Sequence, residues 1–311
     1  DPEETFSDDP LRMLRAVRFR WKLGFEPAEN LYPAIKKNAH RLRIISNERI
    51  NEELTKMLLC SWAAEALGDL QSLGLLGQFA PELDAMVGVE QGKWHDADVW
   101  NHTLQVVKNA GSGDLTLTLA CLLHDVGKPL TKTQDEKGDI RFFGHESVGA
   151  DIAYRWLTDM KYGQRTAESV ALLVKNHMRL CSMDSLSLAA ARRIVRDLGD
   201  HLSHWLTLIE ADASALKKGV RKLDLDSVRK RLEEVQIATP APKLMSPLDG
   251  HEIMALIGVD GGEIVGQAKE HLTELVLDGK LEPDDQQSAR VLLSQWIENL
   301  GLSPDVTGKS G

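Results

Sequence analysis

Apolar residues recur along this chain at steps of three and four, the spacing that places them on one face of an α-helix. The pattern predicts amphipathic helices along most of the sequence. Their predicted bounds are 10–23, 46–60, 99–110, 115–124, 146–160, 165–177, 187–198, 202–216, 226–235, 249–256, 262–277 and 285–300. Strand patterns are nearly absent, apart from a small β-hairpin predicted over 131–143 with its turn at Glu136-Lys137-Gly138-Asp139. The predicted fold class is therefore all-α.

Local composition divides these helices into three predicted parts. The prolines of Thr239-Pro240-Ala241-Pro242 and Pro247 mark a linker, because proline interrupts helical hydrogen bonding. A weaker boundary lies near 84–93. The prediction is a helical N-terminal segment at 1–85, a helical-bundle domain at 86–238 and a helical C-terminal segment at 239–311.

Charge is distributed unevenly along the 311 residues. The chain has 37 Lys and Arg against 47 Asp and Glu, a net charge of −10, which excludes a uniformly basic nucleic-acid-binding surface. Residues 11–49 nevertheless hold ten Lys and Arg against three acids. This indicates a phosphate-bearing partner, with a solvated helix face as the alternative interpretation.

Targeting signals are lacking in the sequence. No apolar run approaches the roughly 20 residues that cross a bilayer, and three scattered cysteines favour a reducing compartment. A cytoplasmic protein without a membrane partner is the expectation. The opening Asp1-Pro2, without a methionine, suggests a piece of a longer protein.

Potential metal-ligating side chains are spread over consecutive predicted helices, each about one helical hairpin after the last. They are His102, the pair His124-Asp125, His145, His177 and Asp212. Residues so far apart in sequence meet only if the helices pack as a bundle and point them inward. The apolar run 115–123 indicates that the pair after it is buried, and a buried polar pair needs a compensating partner such as a metal ion.

Imidazole and carboxylate ligands suit divalent ions, and the pattern leaves Mn, Ni, Co, Fe, Zn and Mg open. Two such ions about 3.5–4 Å apart polarise a phosphoryl oxygen and lower the pKa of a bridging water. In this interpretation Asp125 bridges the ions, and Lys128 binds the anionic substrate or stabilises the leaving oxygen. Arg179 is a second residue predicted to contact phosphate.

The order His102…His124-Asp125…Asp212, with the run His-Asp-Val-Gly-Lys-Pro, resembles the HD superfamily of metal-dependent phosphohydrolases. The resemblance covers about residues 95–215. It implies one ion on His102, His124, Asp125 and Asp212. Additional histidines mark members with two ions, which implies a second ion on Asp125, His145 and His177. The implied activity is that of a phosphoric ester hydrolase, a phosphodiesterase or phosphomonoesterase that tolerates varied phosphate esters.

The N-terminal run 6–19, followed by 43–50, resembles the neck of bacterial CCA-adding tRNA nucleotidyltransferases and the related poly(A) polymerases. In that family an Asp and an Arg three residues later bind the incoming base by Watson–Crick-like hydrogen bonds, which implies this role for Asp9 and Arg12. The segment 248–281 is similar to the tail of the same enzymes. The resemblance implies that the basic segment 11–49 binds tRNA, with phosphate or RNA contacts from Arg15, Arg18 and Arg49.

Nucleotidyl transfer needs two carboxylates on a strand after a Gly-Ser turn, and the sequence has no such strand. We therefore expect the family's catalytic head domain to be missing and this chain alone to be inactive in nucleotide transfer. The main hypothesis is a metal-dependent phosphohydrolase. The alternative is a tRNA-binding, base-selecting fragment of a tRNA nucleotidyltransferase, and a third is a helical scaffold with vestigial ligands.

Overall fold

A computed structural model describes residues 1–92, 96–181, 183, 185–217 and 224–300. Nearly all regular structure in these ranges is helical, which confirms the all-α fold class. The α-helices are α1 (Pro2–Asp8), α2 (Leu11–Leu23), α3 (Leu31–Asn38), α4 (Asn47–Leu58), α5 (Ala63–Ser72), α6 (Pro81–Asp84), α7 (Val99–Asn109), α8 (Leu115–Leu123), α9 (Lys128–Thr131), α10 (His145–Asp159), α11 (Gln164–Asn176), α12 (Leu188–Leu198), α13 (Leu202–Ala215), α14 (Leu225–Ala238), α15 (Gly250–Ile257), α16 (Glu263–Leu277) and α17 (Gln286–Asn299). Short 3₁₀ turns lie at Ala39–Ile44, Leu76–Gln78, Gly199–His201 and Ala241–Lys243.

The predicted hairpin is present between α9 and α10. Strands β1 (Thr133–Gln134) and β2 (Ile140–Arg141) pair antiparallel, with Thr133 opposite Arg141. The Asp135 carboxylate accepts hydrogen bonds from the backbone N–H groups of Lys137 and Asp139 and so closes the turn. Within the described ranges this hairpin is the whole of the β-structure.

The described residues form two compact units. One contains residues 1–181 and 203–217, and the other contains 183, 185–202 and 224–300. The second unit packs α12 and α14–α17 around buried leucines, and Arg193 of α12 forms ion pairs with Glu274 and Asp278. The boundaries expected at 85/86 and 238/239 stay predictions. Across the described residues, no helix combines the length and the apolar character needed to cross a membrane.

In the described ranges the helices α1, α3, α5, α6 and α9 lie outside the set that the apolar pattern predicts, and α3 and α5 are the two longest of these. In α5 the buried face is built largely of alanine, at Ala63, Ala64 and Ala66. The difference in hydrophobicity between its buried and its polar face is therefore small. In α3 a proline stands near the start, where the missing N–H costs no helical hydrogen bond. The sequence therefore gives only a weak local signal for both helices, and tertiary packing stabilises them.

The helix α8 lies at the centre of the first unit, where it packs against α4, α7 and α11. The Asp114 side chain caps its N-terminus by accepting from Leu117 N at 2.9 Å. Its residues 117–123 are all buried. His124 is the C-cap of the helix. The most apolar helix of the unit is thus followed directly by a buried polar pair, His124-Asp125.

A buried carboxylate joins α2 to α4. Glu53, which is 2% exposed, accepts from Arg18 Nε at 2.8 Å, from Lys56 Nζ at 3.1 Å and from Arg15 Nε at 3.4 Å. Burial alone would raise the pKa of Glu53, but the hydrogen bonds from Arg18 and Lys56 hold it below its ordinary value. The start of the chain is therefore held in place by ion pairs as well as by apolar packing.

We expect Glu53→Gln to lower the free energy of unfolding by about 1–3 kcal/mol, because the amide leaves the cations around it without their counter-charge. Urea unfolding at pH 7 measures this. The control is Glu52→Gln, an exposed neighbour on the same helix, which should change stability by less than about 0.5 kcal/mol.

The same variant has an expected pH dependence. A carboxylate whose pKa is lowered on folding stabilises the protein fully above its unfolded pKa, about 4.3 for Glu. This stabilisation is lost as the pH falls through the folded-state pKa. The difference between wild type and Glu53→Gln should therefore shrink below about pH 4.3. A difference that stays constant in acid would contradict this role.

Candidate metal centre

Four buried imidazoles converge on one buried carboxylate. His102 lies on α7, the pair His124-Asp125 follows α8, His145 begins α10 and His177 follows α11. All five side chains are buried. The structure thus brings together potential ligands that the sequence separates by up to 75 residues.

The two oxygens of Asp125 face different histidines. Oδ2 lies 3.1 Å from His124 Nε2 and 3.8 Å from His102 Nε2, and these residues form what we call the Oδ2 group. Oδ1 lies 3.4 Å from His145 Nε2 and 3.7 Å from His177 Nε2, which form the Oδ1 group. Within each group the potential ligand atoms lie within 4.8 Å of one another. A single carboxylate therefore belongs to two adjoining sets of donors.

Backbone carbonyls fix the tautomer of three of these histidines. Nδ1 of His124, His145 and His177 lies 2.7–2.8 Å from the carbonyl oxygen three residues earlier. Since a carbonyl only accepts, each Nδ1 carries the proton, and in the neutral ring Nε2 is the nitrogen with the free lone pair. This is the orientation that metal-ligating histidines adopt.

The donor set fits a divalent ion. His124 Nε2 is buried and faces Asp125 Oδ2 at 3.1 Å without hydrogen-bond geometry. His145 Nε2 and His177 Nε2 lie only 3.3 Å apart, although neutral rings of the tautomer above would direct a lone pair at each other. A bound cation resolves both features, and such an ion would act as a Lewis acid at this position.

The structure places Asp212 beside the Oδ2 group. Its Oδ1 lies 3.0 Å from His102 Nε2 and 4.0 Å from His124 Nε2. Burial alone would raise the pKa of Asp212, but the hydrogen bond with His102 lowers it to about 2. Asp212 is thus ionised and adjoins the donor set, and its role as a direct ligand stays a prediction.

Lys128 contacts the ligands rather than open solvent. Its Nζ donates to Asp125 Oδ2 at 2.6 Å and to Gln91 Oε1 at 2.6 Å, and the residue is 8% exposed. Burial would raise the pKa of Asp125, but the charges of His124 and Lys128 hold it well below its ordinary value. Sequence reasoning missed Gln91, since a lone glutamine in a loop carries no motif.

The glycine after the His-Asp pair lets two helices approach. A Cβ on Gly127 would clash with the carbonyl oxygen of His145 and lie 2.7 Å from Gly149 N. Only a hydrogen fits between these backbones. Gly127 therefore sets the position of α10, and with it the position of the His145 ring.

The residues predicted to bind a base lie at the start of α2. Asp9 accepts from Arg49 Nη2 at 3.1 and 3.3 Å and from Leu11 N at 3.2 Å. Arg12 is exposed, with Nη1 3.5 Å from Thr5 O. The structure therefore places Asp9 in extended backbone just before α2 and Arg12 in its first turn, where Arg12 N donates to Asp9 O at 3.0 Å.

The arginines predicted to contact phosphate or RNA take part in ion pairs or local hydrogen bonds. Arg15 and Arg18 contact Glu53, and Arg49 contacts Asp9. Arg179 donates to Asn176 Oδ1 at 3.3 Å, two residues from His177. Their contacts with phosphate stay predictions.

Two family models match the chain. The model described as "Probable RNA and SrmB- binding site of polymerase A" matches residues 24–87, and the HD domain model matches residues 99–224. The helical fold and the histidine–aspartate centre thus define a protein with an HD domain.

Relatives extend the likeness to nearly the whole chain. A CC-adding tRNA nucleotidyltransferase of Thermus thermophilus is 36% identical over 304 residues, covering 94% of this chain and 68% of that protein. An A-adding tRNA nucleotidyltransferase of Deinococcus radiodurans is 35% identical over 314 residues, covering 95% of this chain and 70% of that protein. The chain belongs to the tRNA nucleotidyltransferase family.

A solved structure supports the fold alone. The complex of a CCA-adding enzyme with CTP aligns with a TM-score of 0.52 at 15% identity, over 95% of this chain and 62% of that chain. The chain thus spans less than two thirds of the length of that structure.

The main hypothesis from the sequence, a phosphoric ester hydrolase of HD type, is wrong about the class of enzyme. The relatives that span the chain are transferases, and the solved structure is a CCA-adding enzyme. The histidine–aspartate order identifies the HD domain correctly, but a fold and its ligand set do not determine an activity. The alternative hypothesis is the one that these relatives favour.

We expect Gly127→Ala to destabilise the first unit by about 2–4 kcal/mol and to weaken Mn²⁺ binding, because α10 must move away and carry His145 with it. Urea unfolding and calorimetric Mn²⁺ titration measure the two effects. Gly163→Ala is the control, since a Cβ there meets nothing within 4 Å and its φ of −62° suits alanine. A Gly127→Ala protein as stable as wild type would show that the helices are not held this closely.

Proposed function

We propose that this chain is the base-selecting and tRNA-binding part of a tRNA nucleotidyltransferase. The observation that carries the proposal is the pairing of a fixed carboxylate, Asp9, with an exposed guanidinium, Arg12, at the start of α2. One relative of this chain is named as CC-adding and another as A-adding. The chemistry of the two side chains explains why those two bases would be chosen together.

Cytosine and adenine share a hydrogen-bonding pattern. Each presents an amino donor beside a ring-nitrogen acceptor on its Watson–Crick edge. A carboxylate accepts from the amino group, and a guanidinium donates to the ring nitrogen. Guanine and uracil place a carbonyl oxygen where the amino group would be, so the Asp9 carboxylate would face another acceptor. The pair Asp9 and Arg12 therefore suits C and A and disfavours G and U.

Arg49 prepares Asp9 for this task. Its Nη2 contacts both carboxylate oxygens, and Leu11 N donates to Oδ1 as well. Asp9 also lies beside the positive N-terminal end of α2, which favours a negative charge there. The carboxylate is thus held in one orientation before a base arrives, which lowers the cost of ordering it on binding.

The tRNA backbone would be bound by cations that the fold leaves exposed. Lys22, Lys36 and Arg43 project from the basic segment 11–49 and are all exposed. Other cations of the segment are engaged elsewhere, as Arg18 is by Glu53 and Arg20 by Asp69. Exposed cations can exchange counterions for phosphates, which is the main source of affinity for nucleic acid. The family match over residues 24–87 supports this assignment for Lys36 and Arg43.

The histidine–aspartate centre is assigned one or two divalent ions, on the Oδ2 and Oδ1 groups. Two features support this assignment: His124 Nε2 faces Asp125 Oδ2 without hydrogen-bond geometry, and the Nε2 atoms of His145 and His177 face each other. Nitrogen and oxygen ligands accept Mn, Fe, Co, Ni and Zn.

Nucleotide binding tests the base selection. In calorimetric titrations with EDTA present, which removes any contribution of bound metal, we expect CTP and ATP to bind at least about tenfold more tightly than GTP and UTP. Asp9→Ala and Arg12→Ala should abolish this preference, and Arg49→Ala should weaken it, because Asp9 is then no longer fixed. Glu4→Ala, an exposed acid on α1, is the control. Equal binding of all four nucleotides by wild type would refute the proposal.

Binding of tRNA tests the phosphate contacts. We expect the combined variant Lys22→Ala, Lys36→Ala and Arg43→Ala to lose about tenfold in affinity at 0.1 M salt and to show a shallower salt dependence. Filter binding with tRNA at several salt concentrations measures both. Lys137→Ala, in the hairpin turn, is the matched control for loss of a surface cation. An unchanged salt dependence would exclude these three residues from the interface.

A further inference from the structure

One side of α4 carries uncharged polar side chains that bind the end of another helix. Asn47, Asn51 and Thr55 follow one another at steps of four, so they lie along the same side of α4. Asn47 Nδ2 donates to the carbonyl oxygen of Asp159 at 2.8 Å, and Asn51 Nδ2 donates to that of Met160 at 2.9 Å. These carbonyls belong to the last residue and the C-cap of α10. Carbonyls at a helix end lack a partner within the helix, and here the two amides supply it.

The end of α10 is a well-defined turn. Lys161 has a φ of +64°, and it is the one residue other than glycine with a positive φ in the part of the chain that the structure describes. Its backbone N–H donates to Thr158 O at 3.0 Å, and that of Tyr162 donates to Leu157 O at 2.9 Å. These two bonds are those of a Schellman motif. Since a side chain disfavours the left-handed conformation, it persists only where the surrounding structure holds it.

The other side of α4 faces the base-binding pair. Residues two positions apart lie about 200° apart around an α-helix, so Arg49 points almost directly away from both Asn47 and Asn51. Arg49 Nη2 contacts both carboxylate oxygens of Asp9. The helix α4 therefore binds the end of α10 on one side and Asp9 on the other. A rotation of α4 about its own axis would move Arg49 relative to that carboxylate.

The asparagines are the side chains best suited to fix this rotation. The buried face of α4 packs through residues such as Ile50 and Leu54, and apolar contacts have no preferred direction. Glu53 holds α4 to α2 through long arginine side chains, whose rotamer freedom tolerates small shifts. An asparagine side chain is short, and its hydrogen bond to a backbone carbonyl requires alignment. Two such bonds one turn apart leave α4 little freedom to turn.

We propose that Asn47 and Asn51 are positioning residues for base selection. They fix the rotation of α4 against the end of α10, so that Arg49 holds Asp9 in the orientation that accepts a hydrogen bond from the amino group of C or A. This inference rests on the proposed function of Asp9 and Arg12. The two asparagines act through Arg49 and not on the base itself.

Nucleotide binding by the full chain, in EDTA, tests this inference with the combined variant Asn47→Asp and Asn51→Asp. A carboxylate of the same size cannot donate to the carbonyls of α10, although at position 51 it can still accept from Thr55 Oγ1. We expect the ratio of the GTP to the CTP dissociation constant to fall by at least about threefold. The added charges affect both triphosphates alike and cancel in the ratio. The uncharged variant Asn47→Ala with Asn51→Ala should give the same fall.

Asn109→Asp is the matched control. Asn109 Nδ2 also donates to a backbone carbonyl of another helix, that of Ala211 at 3.1 Å, and its Oδ1 also accepts from a side chain one turn away, that of Gln105. Asn109 lies on α7, so this substitution should leave the ratio unchanged. Melting curves by circular dichroism establish that each variant is folded.

A double-mutant cycle distinguishes positioning from a general loss of structure. Arg49→Ala alone should lower the ratio. Adding the asparagine substitutions to Arg49→Ala should lower it no further, because the asparagines act through Arg49. Independent effects would instead multiply.

Four results would overturn the inference. Three of them leave base selection by Asp9 and Arg12 intact: asparagine variants as selective as wild type, an equal fall in Asn109→Asp, and effects that multiply with that of Arg49→Ala. The fourth is equal binding of all four nucleotides by wild type, which would refute the proposed function as well. The two failures are therefore distinguishable.

Discussion

The packing of the helices in the first unit depends on the buried carboxylate of Asp125. Burying an ionised carboxylate is costly unless hydrogen bonds and opposite charges surround it. The helices that surround it supply those groups: four imidazoles, from the ends or faces of α7, α8, α10 and α11, and the ammonium of Lys128. Helix packing and local electrostatics are thus a single constraint here, since a shift of any one helix would leave a buried charge short of a partner.

Backbone details make this arrangement specific. The Nδ1–carbonyl contacts of three histidines each span three residues, so each ring is oriented by its own chain and not by its neighbours. Gly127 allows α10 to approach closely enough for His145 to reach Asp125. Elsewhere in the first unit, buried or fixed carboxylates are again held by cations. There Glu53 gathers cations from α2 and α4, and Arg49 fixes Asp9.

The fold class, the bounds of most helices and the hairpin could be predicted from the sequence, because amphipathic spacing and a Gly-Asp turn are local signals. The ligand set could be proposed because an apolar helix such as α8 seldom ends in a polar pair without a partner for it. What the sequence could not show was which partner each side chain contacts. Nothing local shows that Lys128 points back at Asp125, that Gln91 receives it, or that Arg18 is engaged by Glu53. These contacts join residues up to 37 positions apart and arise only from the packing of the helices.

The prediction of the enzyme class was wrong for a related reason. The donors of a histidine–aspartate centre indicate which ions fit the site. The activity of the protein also depends on the other residues that contact a substrate. Here the other feature is the pair Asp9 and Arg12, which we propose to bind a base. The chemistry of the centre and the chemistry of the helix start therefore have to be judged separately, each from its own contacts.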